Sequence, residues 1–372
     1  GHPVEERARA AGLRVTGRRP GGDADLPRAL AFAAMLRRER PDAVLLSAFK
    51  RAFWGGWAAR RAGVGRVVER LGIEHELPPK WKYRHAFRHY IDAMIVNSTA
   101  IRDRWLASAP WFPAEEVHVV LNGVRPPERT AGGVRDELGL PAGAPLVAAA
   151  GRLEPRKGFD LLLEAFARAG ARDAHLAVAG DGPEAAALRE QAARLGVAGR
   201  VHWLGFRSDL DDVLVGADVF ALPSRKEGMA NVMLEAMAAG CLVVATDISG
   251  VRDAIGARAG RDRAGWIVPA EDPTALGDAL TDALAVVGDD DTRSGGPGVG
   301  GAEAMRRELR WRVEHWFSPE RTVEQTEAVL AGRADPATGV RPVTGSTTGA
   351  PGSGGRGTGG PPVGGPRTGG AA

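Results

Sequence analysis

Between residues 143 and 250, short apolar runs alternate with longer segments of helical period. The runs are "LVAAAG", "HLAVAG", "VHWLG", "VFALPS" and "LVVAT", and they recur roughly every 20 to 30 residues. Strands that alternate with helices of this length form parallel βαβ units and a doubly wound sheet. Ligands of such sheets bind outside the carboxyl ends of the strands. We therefore expect the functional residues just after these runs.

The first half of the chain has the same pattern in a less regular form. Its predicted strands are 41–47, 65–72, 92–98 and 117–123, and the opening "HPVEERARAAGLRV" reads as a helix followed by a strand. Asn122-Gly123 and Pro126-Pro127 then supply turn chemistry, which indicates a hinge between two domains.

The sequence divides accordingly into five parts. We predict a first domain over 1–125, a hinge linker over 126–142, a second domain over 143–317, a helix over 318–332 and a tail over 333–372. The tail holds 13 Gly and 6 Pro and no Leu, Ile, Met or aromatic residue, so we expect it to be disordered. The segment 288–301 is predicted to be a surface loop.

The charge distribution differs between the two halves. Residues 1–130 carry a net charge of +9 and residues 131–332 carry −9. A basic first half favours an anionic surface or acceptor, but no zinc-ligand spacing, helix-turn-helix signal or RNA-binding aromatic motif points to nucleic acid. The single cysteine, Cys241, excludes an internal disulfide, fits a cytoplasmic protein, and is expected to be buried and unreactive.

Two loops after predicted strands carry groups suited to a diphosphate. In "GRLEPRKGFD", Arg152 and Lys157 lie beside Gly151, so charge, donors and close backbone approach occur together. In "GDGPE", Gly180 and Gly182 permit a tight turn. A solvated basic loop and a plain turn are the alternatives for each loop taken alone.

The stretch "EGMANVMLEAMAAG" places two acids eight positions apart around a helix start. Gly228, Met229, Ala230, Asn231 and Val232 bring backbone amides to that start, where a negative ligand group is favoured. Glu227 and Glu235 can each accept hydrogen bonds from a pair of hydroxyls, so a nucleotide sugar would use all these groups at once. The alternative is a helix with one capping acid and one partly exposed acid.

Taken together, the motifs "GR…KG", "GDGP", "LGF", "DVFALPS" and "EG…LEAMAAG…VVAT" resemble the retaining glycosyltransferases of the bacterial group 1 (family 4) type. The resemblance runs over roughly 40–330 and is strongest from 146 to 250. It implies an α/β GT-B fold, in which two Rossmann-like doubly wound domains face a cleft. Relatives often have Phe or Tyr with Gly or Pro at Met229 to Asn231, which leaves the donor sugar open.

The resemblance also implies roles for these residues. Arg152 and Lys157 would hold the leaving diphosphate, Glu227 the donor sugar and Glu235 the ribose, while nucleobase contacts would come from Leu204, Gly205 and Arg207. The expected activity is transfer of a sugar, with retained configuration, from a nucleotide-diphosphate donor to a hydroxyl of a cell-envelope glycan or lipid. No cofactor or metal is expected. A non-catalytic relative or inactive fragment that only binds donor stays open, as does an epimerase or phosphorylase.

In the first domain the resemblance is incomplete. We expect the family's first strand and its glycine-rich loop to be absent, because Gly21-Gly22 follows no buried strand. His75 is the candidate for a histidine near the reacting sugar, with a solvated loop histidine as the alternative. The basic, aromatic segment 80–90 could lie on an anionic membrane at the inner face of the cell or pack on its own domain. Asp23-x-Asp25 and Asp209-x-Asp211 are better explained as helix caps than as metal ligands.

Overall fold

A computed structural model describes residues 3–16, 25–47, 49–128, 133–170, 173–256, 260–262, 264–290 and 301–334. The helices are α1 (Pro3–Ala10), α2 (Leu26–Glu39), α3 (Ala52–Ala62), α4 (Trp81–His89), α5 (Thr99–Ser108), α6 (Val134–Glu137), α7 (Phe159–Arg168), α8 (Ala185–Arg194), α9 (Leu210–Gly216), α10 (Asn231–Ala239), α11 (Val251–Ile255), α12 (Pro273–Asp290), α13 (Ala302–Trp316) and α14 (Pro319–Leu330). The strands are β1 (Ala43–Leu46), β2 (Arg66–Leu71), β3 (Ala93–Val96), β4 (Val117–Val119), β5 (Leu146–Ala150), β6 (His175–Ala179), β7 (Val201–Gly205), β8 (Val219–Leu222), β9 (Leu242–Thr246), β10 (Gly260–Asp262) and β11 (Gly265–Val268).

The first sheet contains β1, β2, β3 and β4 in chain order, and all its pairings are parallel. Both of its faces are covered, since β3 is buried at every position. One face packs on helices through residues such as Val67 and Phe87. The other face carries a smaller cluster that includes Val68 and Ile95. A strand buried on both sides explains the continuous apolar runs of the sequence.

The second sheet has the order β10-β11-β9-β8-β5-β6-β7 and is parallel except for β10. The chain runs outward in one direction from β5 through β6 to β7, and in the other direction from β8 to β9. The strand order therefore reverses between β5 and β8. A crevice forms at such a reversal, beyond the carboxyl ends of the two strands. Here those ends lead into the loops that follow Ala150 and Leu222.

The last described helix returns to the first sheet. Ser318 caps α14 by accepting a hydrogen bond from the Arg321 amide, and a proline follows it at the first helical position. Val329 of α14 packs in the cluster with Val68 and Ile95. The Arg66 side chain donates to the Val329 carbonyl over 2.8 Å. The chain thus crosses between the two sheets twice, once near the predicted hinge and once before α14.

The structure confirms the α/β architecture of two sheets flanked by helices, and the nine strands predicted from 41 to 246 all form. It differs from the sequence analysis at three places. Residues 13–16 form no strand after α1, and α12 continues to Asp290, three residues into the predicted loop. β10 and β11 were not predicted, because their short runs show no clear alternation. The predicted tail lies outside the described residues from 335 onward.

The two acidic pairs differ in their capping behaviour. Asp25 caps α2 by accepting from the Arg28 amide over 3.1 Å, whereas Asp23 lies outside the described residues. Asp209 occupies the N-cap position of α9 but makes no capping hydrogen bond. Its carboxylate instead forms two hydrogen bonds with the Arg207 guanidinium, at 2.8 and 2.9 Å. Capping therefore explains Asp25 and does not explain the side chain of Asp209.

Candidate functional site

A cavity of about 950 Å³ opens at the reversal of the second sheet and extends to the first sheet. Its size falls in the range of about 300–1,000 Å³ that is typical of small-molecule sites. The second domain contributes the loops after β5, β6, β7 and β8 and the start of α10. The first domain contributes residues that follow β1, β2, β3 and β4. The cavity is thus a cleft between two sheets, bounded on both sides by strand ends.

The loop after β5 carries two of the predicted cations. Arg152 and Lys157 both line the cavity, and the Lys157 side chain is only 14% exposed, against 72% for Arg152. Gly158 ends this loop with φ +67°, and a Cβ there would lie 2.1 Å from the Pro223 carbonyl oxygen. Only glycine fits so close to the neighbouring strand end. The backbone packing thus holds Lys157 beside the loop that carries Glu227.

Glu227 lies at the centre of the cleft and is buried. One carboxylate oxygen accepts a very short hydrogen bond from Lys157 and a second from the Ser224 hydroxyl at 3.2 Å. The other oxygen lies 3.4 Å from the Arg156 guanidinium. A buried carboxylate is costly unless it is paired in this way. Lys157 and Glu227, predicted to contact diphosphate and sugar, are therefore direct neighbours.

Glu235 lies in α10 and its side chain lines the cavity. Burial raises the pKa of its carboxyl, and the nearby charge of Asp211 raises it further. In the described part of the chain, no donor lies within hydrogen-bonding distance of this carboxylate. The helix begins at Asn231, so Met229, Ala230 and Asn231 bring its first amides to the same cavity. Glu235 is thus a half-buried acid that faces a cleft rather than a protein partner.

The loops after β6 and β7 complete this side of the cleft. Gly180 lines the cavity, and its amide donates to the Gly205 carbonyl over 2.7 Å. Arg207 also lines the cavity, but its guanidinium is bound by Glu137 and Asp209, which raise its pKa. Phe206 lines it as well and is 83% exposed. Of the other predicted donor-binding residues, Gly151 and Val232 line the cavity, whereas Gly182, Leu204, Gly205 and Gly228 are not among its described lining residues.

Gly228 instead lies where the second domain packs tightly against the first. A Cβ at this position would lie 1.8 Å from the Gly72 carbonyl oxygen, which follows β2 in the first domain. A hydrogen bond from the Asn122 side-chain amide to the Asn231 side-chain oxygen, 2.7 Å long, crosses the cleft nearby. Asn122 also accepts from Arg70 over 3.1 Å. The cleft is therefore closed at this point by direct contact.

The cavity-lining residues of the first domain that were not predicted include Arg70, Asn97 and Asn122. Asn97 is buried, and its side-chain oxygen has no hydrogen-bond partner within the described residues. All three lie at or just after the carboxyl ends of β2, β3 and β4. The strand-end rule that identified Arg152 and Lys157 would have identified them too, if it had been applied to the first domain.

His75 occupies a different position. It follows β2, as expected, but its side chain is exposed and stacks on Phe49 with ring centroids 5.7 Å apart. It is not among the described residues that line the cavity. The neighbouring Glu74 instead faces a second cavity, described below.

The segment 80–90 forms α4 and has two different faces. Tyr83 and Phe87 are buried against the first domain, as the packing alternative requires. Trp81 is 73% exposed, and Arg84 and Arg88 point outward over the Trp111 ring, at 5.8 and 4.9 Å from its centroid. Within the described ranges, every helix is too short or too polar to traverse a bilayer. The same residues include no group of three or more side chains placed to hold a metal ion.

Family models match both halves of the chain. Residues 144–285 match the model described as glycosyl transferases group 1, and residues 1–127 match that described as glycosyltransferase family 4. Both matches fall on the domains that form the cleft. The chain belongs to the group 1 glycosyltransferases of the GT-B fold. Of the motifs on which the resemblance rested, "GR…KG", "GDGP", "LGF" and "EG…LEAMAAG" contribute residues that line the cleft of this group 1 glycosyltransferase.

Curated relatives agree with this family. The chain is 33% identical over 222 residues to the lipopolysaccharide core biosynthesis glycosyltransferase LpsE of Rhizobium meliloti, covering 58% of each chain. It is 31% identical over 264 residues to the alpha-maltose-1-phosphate synthase of Mycolicibacterium smegmatis, covering 66% of this chain and 65% of the relative. The match to a 2-deoxystreptamine N-acetyl-D-glucosaminyltransferase of Streptomyces fradiae is 36% over 156 residues, covering 39% of this chain and 36% of the relative. These matches span about one third to two thirds of the relatives' length.

Solved structures show the same fold. A glycosyltransferase from Rickettsia africae superposes with a TM-score of 0.77 at 16% identity, covering 90% of this chain and 88% of that one. Anabaena HepE in complex with UDP superposes with a TM-score of 0.71 at 20% identity, covering 86% of each chain. At these identities the likeness establishes the fold alone.

Proposed function

We propose that this group 1 glycosyltransferase moves a sugar from a nucleoside diphosphate donor to an acceptor hydroxyl, with retention of configuration. One observation carries the proposal. At the reversal of the second sheet, a cleft brings together the Lys157–Glu227 pair, the amides at the start of α10 and the Glu235 carboxylate, which has no donor among the described residues. Cation, amides and acids in this arrangement match the diphosphate and the two diols of a nucleotide sugar.

The diphosphate would lie against Arg152 and Lys157. Both cations face the cavity from the loop after β5, and the α10 amides add partial positive charge. These groups stabilise the charge that develops on the departing diphosphate. Glu227 keeps Lys157 in place and offers its oxygens to hydroxyls of the donor sugar. A diphosphate oxygen accepts the proton that the acceptor hydroxyl loses. Retention of configuration is tested directly by assigning the anomer of the product by NMR.

The nucleoside would lie on the other side of the diphosphate. Glu235 has no protein donor among the described residues, so the ribose diol supplies its hydrogen bonds. The exposed ring of Phe206 at the cavity wall is placed to stack on a base. UDP is bound in the solved structure of Anabaena HepE, which makes uridine diphosphate sugars the first donors to test.

The test is donor binding by the Glu235→Ala variant. We expect the calorimetric Kd for UDP-glucose, GDP-mannose or ADP-glucose, whichever binds wild type best, to rise about 10-fold or more. The reason is that hydrogen bonds to a charged group contribute about 1.5–3 kcal/mol. Glu190→Ala, an exposed acid of α8, is the matched control and should bind as wild type does. Unchanged affinity in Glu235→Ala would refute the ribose role. Donor binding without turnover, with any acceptor, would support the binding-protein alternative.

We also propose that the acceptor is presented at an anionic membrane surface, as expected for a cell-envelope glycan or lipid, with the protein on its cytoplasmic face. The segments 49–62 and 80–91 together contain eight basic residues and no acidic one. They include α3 and α4, which pack side by side. Trp54, Trp57 and Trp81 are at least partly exposed there. Aromatic rings with surrounding cations are typical of an interfacial membrane surface, and we name this surface the α3–α4 face.

A further inference from the structure

A second cavity, of about 460 Å³, lies between the two domains next to the donor cleft. Its first-domain wall comes from the loop after β2 and from α5, and its second-domain wall from the loops after β8 and β9 and from α11. Glu227 lines both cavities. No other residue of this second cavity is among the predicted site residues.

Direct hydrogen bonds join the two walls of the second cavity. The Thr99 amide and hydroxyl donate to the Asp253 carboxylate over 2.8 and 2.6 Å, and Ser249 donates a very short bond to Glu74. Each pair joins one residue of the first domain to one of the second. The cavity therefore exists in its present shape only when the two domains are closed on each other.

The charges of this cavity are largely paired within the protein. Five acidic and four basic side chains line it. Arg225 forms two 2.7 Å hydrogen bonds to Asp160 and one of 2.9 Å to Glu271. Arg252 likewise binds Asp247 over 2.8 Å. The Arg104 guanidinium lies 3.6 Å from Glu74. A phosphate group would have to compete with these carboxylates in a site with more acids than bases.

Hydroxyl groups suit the same wall far better. A carboxylate can accept several hydrogen bonds, and a guanidinium has five N–H donors, so paired groups keep spare capacity for neutral ligands. A sugar hydroxyl can donate to one and accept from the other. The wall thus favours an uncharged polyhydroxy ligand over a phosphorylated one.

We infer that the second cavity is the acceptor subsite and that it takes a neutral saccharide or polyol unit. This inference rests on the proposed function, because it needs the donor sugar to lie at Glu227. Glu227 lines both cavities, so the acceptor hydroxyl approaches the anomeric carbon of the donor sugar from the second cavity. The hydroxyl oxygen forms the new C–O bond with that carbon. The bond from that carbon to the diphosphate breaks, and the acceptor proton ends on a diphosphate oxygen. An anionic membrane contact and a neutral acceptor unit are compatible, because they involve separate surfaces.

The experiment uses the full chain saturated with UDP, or with GDP or ADP if that nucleotide binds better, and ligand-observed NMR of a saccharide panel. The panel holds methyl hexosides and myo-inositol, each beside its monophosphate. In Ala100→Phe a large ring enters the cavity from the exposed face of α5, whereas Ala107→Phe places the same ring elsewhere on α5 as the control. We expect at least one neutral ligand to bind wild type and Ala107→Phe, with at least a tenfold weaker response in Ala100→Phe.

A second variant distinguishes a change in the cavity from a folding defect of Ala100→Phe. Asp103→Asn removes one exposed carboxylate from the cavity wall, and we expect it to weaken the same ligand several-fold. UDP affinity, measured by calorimetry, should be unchanged in all three variants. If saccharide binding survives in Ala100→Phe, if a monophosphate binds better than its neutral parent, or if no neutral ligand binds, the inference is wrong. Failure of wild type to bind any of UDP, GDP and ADP would instead refute the proposed function.

Discussion

At the scale of the residue, two buried glutamates differ in whether their carboxylates have hydrogen-bond partners. Glu227 and Glu69 are both buried acids, at 8% and 0% exposure. Glu227 has three donors around it and lines the cleft. Both carboxylate oxygens of Glu69 lack a partner among the described residues, and alternation along β2 places it on the face of Val67 and Leu71. The first acid is held at the wall of the cleft by its donors, whereas the second sits in the core.

Glu69 should make stability depend on pH. Burial raises the pKa of its carboxyl from 4.5 to about 8. Between these values the folded protein keeps a proton that the unfolded chain has lost, so the free energy of unfolding falls as pH rises. The slope contributed by this one group approaches about 1.4 kcal/mol per pH unit. In Glu69→Gln this contribution disappears, and Tm should exceed that of wild type by several degrees at pH 8.

Thermal unfolding from pH 5 to pH 8 measures this effect. Glu115→Gln, at an exposed position of the same domain, is the control and should keep the wild-type dependence. A parallel pH dependence in Glu69→Gln and wild type would show that the Glu69 carboxyl is not protonated in the folded protein.

At the scale of the element, the strand-end loops decide where side chains meet. The loop from β8 to α10 carries Glu227 and Gly228, and it touches the loop after β2 at Gly72. This contact holds the two cleft walls together at a point where Gly228 has no room for a side chain. The geometry of the cleft thus depends on a glycine as much as on the charged residues beside it.

Gly228→Ala should open the cleft. The added Cβ would lie 1.8 Å from the Gly72 carbonyl oxygen, so the two loops must separate. We expect the donor Kd to rise at least tenfold and the radius of gyration from small-angle scattering to increase, with a smaller change in Tm. Gly199→Ala is the control, because a Cβ there would meet nothing within 4 Å. Wild-type donor affinity in Gly228→Ala would mean that this contact does not shape the site.

At the scale of the whole molecule, charge is distributed by domain. The α3–α4 face belongs to the basic first half, whereas the acid-rich second half carries the loops after β5 to β8 that line the cleft. α14 returns to the first sheet, so the chain ties the two domains together at a second point. A surface outside the cleft can therefore hold the protein at an interface while both walls of the cleft stay free.

The α3–α4 face should bind anionic vesicles. We expect the triple variant Lys82→Ala, Arg84→Ala, Arg88→Ala to lose most co-sedimentation with vesicles that contain phosphatidylglycerol, because each basic residue near such a surface contributes about 1 kcal/mol. A control triple, Arg168→Ala, Arg189→Ala, Arg194→Ala, removes the same charge from exposed positions of α7 and α8. Equal sedimentation of the two variants would exclude the α3–α4 face as the membrane surface.

The sequence by itself determined the elements and most of the second-domain wall of the cleft. Apolar runs and helical periods set β5 to β9 and α7 to α10, and the parallel order that they imply puts Arg152, Lys157, Glu227 and Glu235 at one edge. Their common edge could be predicted because all these residues follow strands of one sheet, so the local pattern fixes which edge they share.

Only the tertiary structure decided what faces that edge. Four features depend on distances between segments far apart in the chain. They are the pairing of Lys157 with Glu227, the contact of Gly228 with Gly72, the approach of Arg70 and Asn122, and the stacking of His75 on Phe49 away from the cavity. The second cavity exists because α5 and α11 meet across the domain boundary. No local pattern encodes the angle between two sheets, since packing of the closed domains sets it.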